Sequence, residues 1–150
     1  MQKRSMWVLA GMLALAVSAP RPARAAVPAV PGAPAGWVHE DIGGPGAAGD
    51  AKVTGTGAAA VWTVSGSGAD IQNSADQFHY AYTTLKGDGG VTARILSQTA
   101  GDPSWTKTGV MLRESDAAGS RMATLNFTSA NGSEAGFRQD TDGGWSGANG

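Results

Sequence analysis

The sequence predicts an all-β protein built as an antiparallel β-sandwich. Apolar and polar residues alternate with a two-residue period in several short runs, which is typical of strands with one buried face. Outside the amino terminus, no window repeats its apolar residues at the 3.6-residue spacing of an amphipathic helix. The chain also holds 23 glycines in 150 residues, well above the average share of about 7%. This composition suits short strands joined by tight turns.

The clearest alternation lies between residues 76 and 115. Runs at 77–85, 91–97 and 107–115 predict three consecutive strands. The connection at 86–90 reads Lys-Gly-Asp-Gly-Gly, whose residues tolerate positive φ and suit a hairpin. We therefore expect an antiparallel meander with one apolar face. The residues expected to point into the core are Phe78, Tyr80, Tyr82, Val91, Ala93, Ile95, Val110 and Leu112.

Shorter strands are predicted on both sides of this region. They cover residues 37–42, 52–54, 61–64, 120–128 and 134–140. Asn131-Gly132 joins the last two and is a type I′ hairpin signal. Residues 73–76 are the candidate for a helical turn. Trp37 and Trp62 lie within predicted strands and are expected in the core.

The amino terminus has the features of an export signal. Lys3 and Arg4 precede an apolar run at 6–17, and Ala23 and Ala25 are small residues at the positions that a signal peptidase reads. The run is shorter than the roughly 20 residues of a membrane-spanning helix. We predict a Sec-type signal peptide cleaved after Ala25, with an uncleaved anchor as the alternative.

The predicted organisation has three parts: a signal peptide at 1–25, a Pro/Ala-rich linker at 26–36, and one domain at 37–150. Cleavage would leave seven basic and twelve acidic side chains, a formal net charge of −5. Such a charge argues against a nucleic-acid partner, which needs a basic surface. The chain has no cysteine, so no disulfide supports the core.

Several spaced motifs in the predicted domain resemble those of a bacterial family. They are WTVSGSGADI at 62–71, DQFHY at 76–80, Gly-Asp at 87–88, Ala-Arg at 93–94 and KTGVMLRES at 107–115. The chain from about Trp37 onward is similar to concanavalin A-like (lectin/glucanase-type) jelly-roll domains related to the "regulation of enolase protein" family.

The resemblance implies a jelly roll in an extracellular setting, as an appended domain of a secreted, cell-surface or carbohydrate-active protein. It implies no established reaction. The family's later strands, with an Asp-Gly turn and a following Trp, have no counterpart before the Gly-rich stretch 142–150. The resemblance therefore also implies a sandwich that is incomplete at its carboxyl terminus.

Candidate catalytic carboxylates are few. Glu114 and Asp116 share the i, i+2 spacing of one strand face, but Asp116 runs directly into a turn-like sequence. Glu40 and Asp41 would face opposite sides of a strand. The active glucanases of this superfamily place their acids as Glu-x-Asp-x-x-Glu, a pattern absent from this sequence. A glycosidase needs two facing carboxyl groups, so we do not expect an enzyme.

Calcium is the one metal with candidate ligands. Asp140 and Asp142 match two steps of a calcium-binding loop, and Asp70, Asp76 and Asp88 flank the predicted meander. The alternative is that these aspartates stabilise turns, as Asp commonly does. Two histidines and no cysteine argue against a zinc site. No cofactor is expected.

Ligand binding has two sets of candidate residues. His79, Arg94 and Arg113 would share the polar face of the meander, where arginine can donate bidentately to a ligand. Alternatively, the two arginines pair with acidic residues across strands. Trp105 and Trp145 lie in predicted loops, where an exposed ring can stack on a sugar.

Two functions of different class follow. The first is a secreted, non-catalytic module that binds a polysaccharide or cell-surface glycan within a larger extracellular protein. The second is a purely structural or spacer domain of such a protein, and a glycoside hydrolase is a distant third. Neither nucleic acid nor, after cleavage, a membrane span is expected.

Overall fold

The computed structural model of the protein describes residues 25–99 and 104–150. The predicted signal peptide therefore lies outside the described residues, except for Ala25. Apart from one short 3-10 turn at Gly57–Ala59, all regular structure described is antiparallel β. The strands are β1 (Val38–Ile42), β2 (Asp50–Thr54), β3 (Val61–Ser65), β4 (Ile71–Gln72), β5 (Ala75–Asp76), β6 (Phe78–Tyr82), β7 (Lys107–Arg113), β8 (Met122–Thr128), β9 (Ser133–Arg138) and β10 (Trp145–Asn149). The all-β prediction is confirmed.

The largest unit is a four-stranded sheet in the order β10-β9-β8-β7. In β8, buried and exposed residues alternate without a break, as expected for a strand with one covered face. Leu125 in β8 stands opposite Val110 on one neighbour and Ala135 on the other. The strands follow one another in sequence, so short hairpin connections set this register.

The β1–β6 ribbon packs on both of its faces. On one side, Phe78 and Tyr80 contact a core cluster of Ile71, Met111 and Met122. The Tyr80 hydroxyl donates to the Met111 carbonyl at 3.0 Å, and burial raises the pKa of Tyr80. This side joins the ribbon to the four-stranded sheet.

On its other side, the ribbon faces the β2–β3 hairpin. Ala81 contacts a second cluster formed by Val30, Ala51 and Val53. Val30 belongs to the Pro/Ala-rich stretch, and its backbone N–H donates to the Trp37 carbonyl. Together the two clusters make the chain a layered β-sandwich, with the ribbon between the hairpin and the larger sheet.

The predicted meander is wrong in its pairing. Strand β6 pairs with β1 rather than with residues 91–97, and β7 pairs with β8. Residues 84–99 form no strand, and the expected hairpin at 86–90 is part of this irregular segment. Alternation shows which side chains would share a face, but it does not identify the partner strand.

Part of the predicted core face also points elsewhere. Phe78 and Tyr80 do face the core. In β7, however, Met111 is buried while Leu112 on the opposite face is 42% exposed. The buried side of β7 holds a methionine and two charged side chains, Lys107 and Arg113. The alternation of Val110 and Leu112 therefore predicted the wrong face of this strand as the buried one.

Three local predictions are corrected by the chain geometry. Residues 73–76 form the β4–β5 hairpin rather than a helical turn, with Asn73 at φ 55°. Asn131-Gly132 does join β8 to β9, but only Gly132 has positive φ, so the turn is not type I′. The Gly-rich end contains strand β10, which pairs with β9.

Candidate functional site

Arg113 is not available on a ligand-binding face. Its guanidinium is almost fully buried and lies 2.9 Å from Asp76 Oδ2. Arg138 binds the same carboxylate bidentately, at 2.7 Å to Oδ1 and 2.9 Å to Oδ2. Hydrogen bonding to Asp76 raises the pKa of Arg138, although burial acts against this. The cross-strand pairing considered as the alternative is therefore what the structure shows for Arg113.

The hydrogen-bond network around Asp76 stabilises the fold and is not a binding site. Arg138 also donates to the carbonyls of Asn73, Gly143 and Ser120 at 3.0–3.2 Å. A buried charge is tolerated when it is paired and its remaining donors are satisfied. These contacts tie the β4–β5 hairpin to the four-stranded sheet, and they exclude Asp76 as a calcium ligand.

His79 belongs to a different cluster from the two arginines. Its ring Nδ1 lies 2.7 Å from Asp41 Oδ1, and its Nε2 lies 3.0 Å from His39 Nδ1. The His79 side chain is only 3% exposed, because Gly49 and Gly66 pack directly on it. The prediction of a solvent-facing His79 beside Arg94 and Arg113 is wrong.

The hydrogen-bonded series Asp41–His79–His39 also shifts the pKa of the Asp41 carboxylate. Burial acts to raise the pKa of Asp41, but hydrogen bonds from His79 and the Gly49 N–H, with the charge of the two rings, lower it overall. An Asp that bonds a His ring fixes the tautomer of that ring. Sequence reasoning missed this cluster because β1 and β6 are far apart in the chain.

The two candidate tryptophans differ in environment. Trp145 lies in β10 rather than in a loop, is half-buried, and packs against the Ile71–Met111–Met122 cluster. Its ring covers Gly136 on the neighbouring strand, where a side chain would overlap it. Trp105 lies in a turn before β7, as predicted, and is 49% exposed. Of the two, only Trp105 is placed to contact a ligand.

The remaining calcium candidates occupy turns or ion pairs. Asp88 is exposed in the irregular segment. In the turn before β10, the Asp142 N–H donates to Gly119 and the Asp140 carbonyl accepts from Gly143. The described residues contain no group of three or more side chains that could hold a metal ion.

The turn that carries Trp105 is anchored on two sides. The Ser104 carbonyl accepts from the Asn131 side chain at 2.8 Å and from the Ala130 N–H at 3.2 Å, both in the β8–β9 loop. The Gln98 side chain donates to the Thr106 carbonyl at 2.8 Å. These bonds hold the backbone on both sides of Trp105, so little backbone freedom is left to lose on binding.

A small polar pocket opens beside Trp105. Its volume is about 230 Å³, and its lining residues are Asp70, Gln72, Trp105, Lys107 and Glu134. This is slightly smaller than pockets for drug-sized ligands, which span about 300–1,000 Å³. The size suits a single small ring or one unit of a longer chain.

Lys107 organises the charges of the pocket. Its Nζ lies 2.7 Å from Asp70 Oδ1 and 3.0 Å from Glu134 Oε1. Two carboxylates and one ammonium leave a formal charge of −1. Nδ2 of Asn126, the cross-strand neighbour of Glu134, is buried without a hydrogen-bond partner among the described residues.

Of the five residues that line this pocket, the sequence analysis identified only Trp105 and Asp70 as candidate site residues. Lys107 and Glu134 lie on the buried faces of their strands, with side chains 7% and 3% exposed. A charged residue at an inward position of an alternating strand was the signal that could have found them, since such residues are seldom buried without a partner.

A much larger gap is not a binding pocket. It measures about 2740 Å³ and runs along β3, β6, β7 and the irregular segment, with His79, Arg94, Trp105 and Arg113 among its lining residues. This is several times the volume of ordinary ligand sites. Arg94 borders this gap and is exposed, but it does not line the pocket beside Trp105.

No family model, curated protein or solved structure matches the chain. The described ranges contain no helix with the length and apolar character needed to cross a bilayer.

Proposed function

We propose that this protein is an exported, non-catalytic module that binds a neutral polysaccharide weakly at the Trp105 pocket. The observation that carries the proposal is a half-exposed Trp105 on an anchored turn beside a polar pocket. An exposed indole offers a flat apolar surface with little conformational entropy to lose, and sugar rings have apolar C–H faces that pack on it.

The polar groups of the pocket support a ligand rich in hydroxyls. Asp70 and Glu134 supply acceptors, and Gln72 and Lys107 supply donors. A hydroxyl both donates and accepts, so it can satisfy either kind of group. The negative charge of the pocket, and the −5 formal charge expected after cleavage, disfavour an acidic polysaccharide.

The same geometry favours binding over hydrolysis. A glycosidase holds its two carboxyl groups on either side of the scissile bond. In this pocket the Lys107 ammonium contacts both carboxylates, so the space between them is already occupied. The resemblance to concanavalin A-like jelly rolls is consistent with a lectin-like module and is part of the proposal.

The test is affinity electrophoresis of the protein recovered from the culture medium, whose first residue is expected to be Ala26. Neutral glucans, xylans and mannans are compared with acidic pectin. Trp105→Ala should weaken retention about fivefold to tenfold, the loss of about 1–1.4 kcal/mol of ring contact. The melting temperature should not change, because the ring is half in solvent.

Trp62→Ala is the matched control, since Trp62 is 37% exposed and lies in β3, away from the pocket. It should retain binding. If no polysaccharide retards the parent protein, or if Trp105→Ala unfolds it, the binding role fails. The structural-domain role then stands.

A further inference from the structure

Segment 84–99 separates two parts of the chain, each with its own strand pairing. Strands β1 to β6 pair with one another in residues 25–83, and β7 to β10 form the four-stranded sheet in residues 104–150. In the described chain, every strand ladder therefore lies wholly within the amino-terminal part (25–83) or wholly within the carboxyl-terminal part (104–150). A cut in the segment between them would break no ladder.

Buried side chains hold the two parts together. Asp76 of the amino-terminal part accepts from Arg113 and Arg138 of the carboxyl-terminal part. The Tyr80 hydroxyl donates across the same contact to the Met111 carbonyl at 3.0 Å. Packed apolar groups and paired charges are also what joins separate protein chains. The apolar side chains that meet between the two parts are Ile71, Phe78 and Tyr80 on one side and Met111, Met122 and Trp145 on the other.

Segment 84–99 itself is open to a protease. Its residues are exposed except Ile95 and Gln98, which are half-buried, and no backbone hydrogen bond joins it to the rest of the described chain. The Gln98 side chain, near the end of the segment, donates to the Thr106 carbonyl. A protease can cut a folded chain only where the backbone opens locally, and the free energy of opening is smallest where few contacts hold it. Residues 84–97 have no backbone ladder to open.

Burial protects several of the basic residues from an enzyme that cuts after Lys or Arg. Residues 26–150 contain seven basic side chains, all of them within the described ranges. Three have side chains that are 7% exposed or less, because they form the ion pairs described above. These three are Lys107, Arg113 and Arg138.

The four exposed basic residues differ in how their backbone is held. Lys52 lies in β2, which pairs with β3, and the Arg121 carbonyl accepts from the Glu114 N–H at 3.0 Å. Lys86 and Arg94 lie in the exposed segment, without such bonds. An enzyme with this specificity would therefore cut the folded chain in segment 84–99 and produce two pieces.

We propose that segment 84–99 is a processing site for an endoprotease that cuts after basic residues, and that the cut protein stays assembled as two non-covalently bound chains. Water hydrolyses the peptide bond between Lys86 and Gly87 or between Arg94 and Ile95. The step leaves a carboxylate on the basic residue and an ammonium group on the next residue, and it consumes no oxidant or reductant. The buried contact around Asp76 then holds the two chains together.

The cut would leave the Trp105 pocket built from both chains. Asp70 and Gln72 belong to the amino-terminal part, whereas Trp105, Lys107 and Glu134 belong to the carboxyl-terminal part. The contact of Lys107 Nζ with Asp70 Oδ1 at 2.7 Å crosses between them. Separation of the two chains would therefore take the pocket apart. This consequence rests on the proposed function, whereas the cleavage and the assembly do not.

Limited digestion of the purified protein with trypsin, followed by mass spectrometry, tests the cleavage. The first cut should fall after Lys86 or Arg94, at a rate that low concentrations of urea leave unchanged, because no global unfolding precedes it. Cuts after Lys52 and Arg121 should come later and accelerate with urea. The double variant Lys86→Gln/Arg94→Gln should slow the first cut at least about tenfold, since the remaining sites require unfolding. A first cut after Lys52 or Arg121 in the parent protein overturns the proposal.

Size-exclusion chromatography of the cut protein over a dilution series tests the assembly. The two chains should elute together at the volume of the uncut protein and separate in urea. Tyr80→Phe deletes a hydrogen bond between the parts and should raise the dissociation constant of the cut chains about fivefold. Tyr82→Phe is the matched control, because the Tyr82 hydroxyl donates to Glu40 within the amino-terminal part, and it should leave the dissociation constant unchanged. Separate elution of the two chains without urea, or equal effects of the two substitutions, contradicts the proposed assembly.

Discussion

Asp76 shows how much one buried side chain can carry in a fold without disulfides. Its carboxylate is fully buried and accepts from both Arg113 and Arg138. Removing one partner of a buried ion pair leaves the others charged and uncompensated, which costs more than the pair itself contributes. The position is therefore expected to be intolerant of even an isosteric change.

Asp76→Asn should lower the free energy of unfolding by about 3–5 kcal/mol. Urea unfolding followed by tryptophan fluorescence measures this. The control is Asp70→Asn, an identical change at a carboxylate that is 39% exposed, which should cost less than about 1 kcal/mol. Equal effects at the two positions would show that the Asp76 network contributes no special stability.

Asp41 should make the stability of the folded protein depend on pH in the acid range. Its pKa is lowered from the usual 3.8 in the folded state, because hydrogen bonds from His79 and Gly49 outweigh the effect of burial. A carboxylate with a depressed pKa adds stability above its unfolded pKa, and this stability is lost as the pH falls through the folded value.

The free energy of unfolding should therefore decrease as the pH falls below about 4. In Asp41→Asn this part of the decrease should be absent, whereas the exposed change Asp88→Asn should leave it in place. Urea titrations between about pH 6 and 2.5 measure the three curves. Parallel curves for the parent and Asp41→Asn would exclude a role for Asp41 in the acid response.

At the scale of elements, β8 and the segment 84–99 show what alternation does and does not determine. Both have alternating sequences, but β8 has partners on both edges. No backbone hydrogen bond joins residues 84–99 to the rest of the described chain. A strand is stabilised by the ladder and the cross-strand pairs that its neighbours provide, and segment 84–99 has neither.

Proline substitutions separate the two cases. Thr92→Pro should change the melting temperature little, because no ladder hydrogen bond is lost in the irregular segment. Ala123→Pro in central β8 should cost at least about 1–3 kcal/mol, since proline lacks the N–H of a ladder hydrogen bond and leaves its partner carbonyl unsatisfied. Thermal unfolding measures both. A comparable loss at Thr92 would indicate that residues 91–97 do form a paired strand.

At the scale of the whole molecule, several charged side chains are buried while several large apolar side chains are exposed. Among the residues that the structure describes, the two core clusters contain six buried residues between them, Val30, Ala51, Val53, Ile71, Met111 and Met122. The larger apolar side chains Leu125, Phe127 and Phe137 stand on the outer face instead. Burial of about 25 cal/mol per Å² of apolar surface is therefore not used on this face.

The sequence alone was sufficient for the fold class and for most strand positions. Alternation at β1, β3, β8 and β9, and a turn at Asn131-Gly132, followed from local rules, because side-chain period and turn preference depend on neighbouring residues. The exposed Trp105 followed from its position in a polar loop. Predicting these features does not require knowing which strands pair with each other.

Only the tertiary structure decided the pairing of strands and the role of each charged residue. Arg113 and Arg138 reach Asp76 across 37 and 62 positions of sequence, and His79 reaches Asp41 across 38. Whether an arginine faces solvent or a buried carboxylate depends on what the fold brings beside it. No local period encodes that distance, so His79 and Arg113, which suggested an open ligand face, prove to be internal supports of the sandwich.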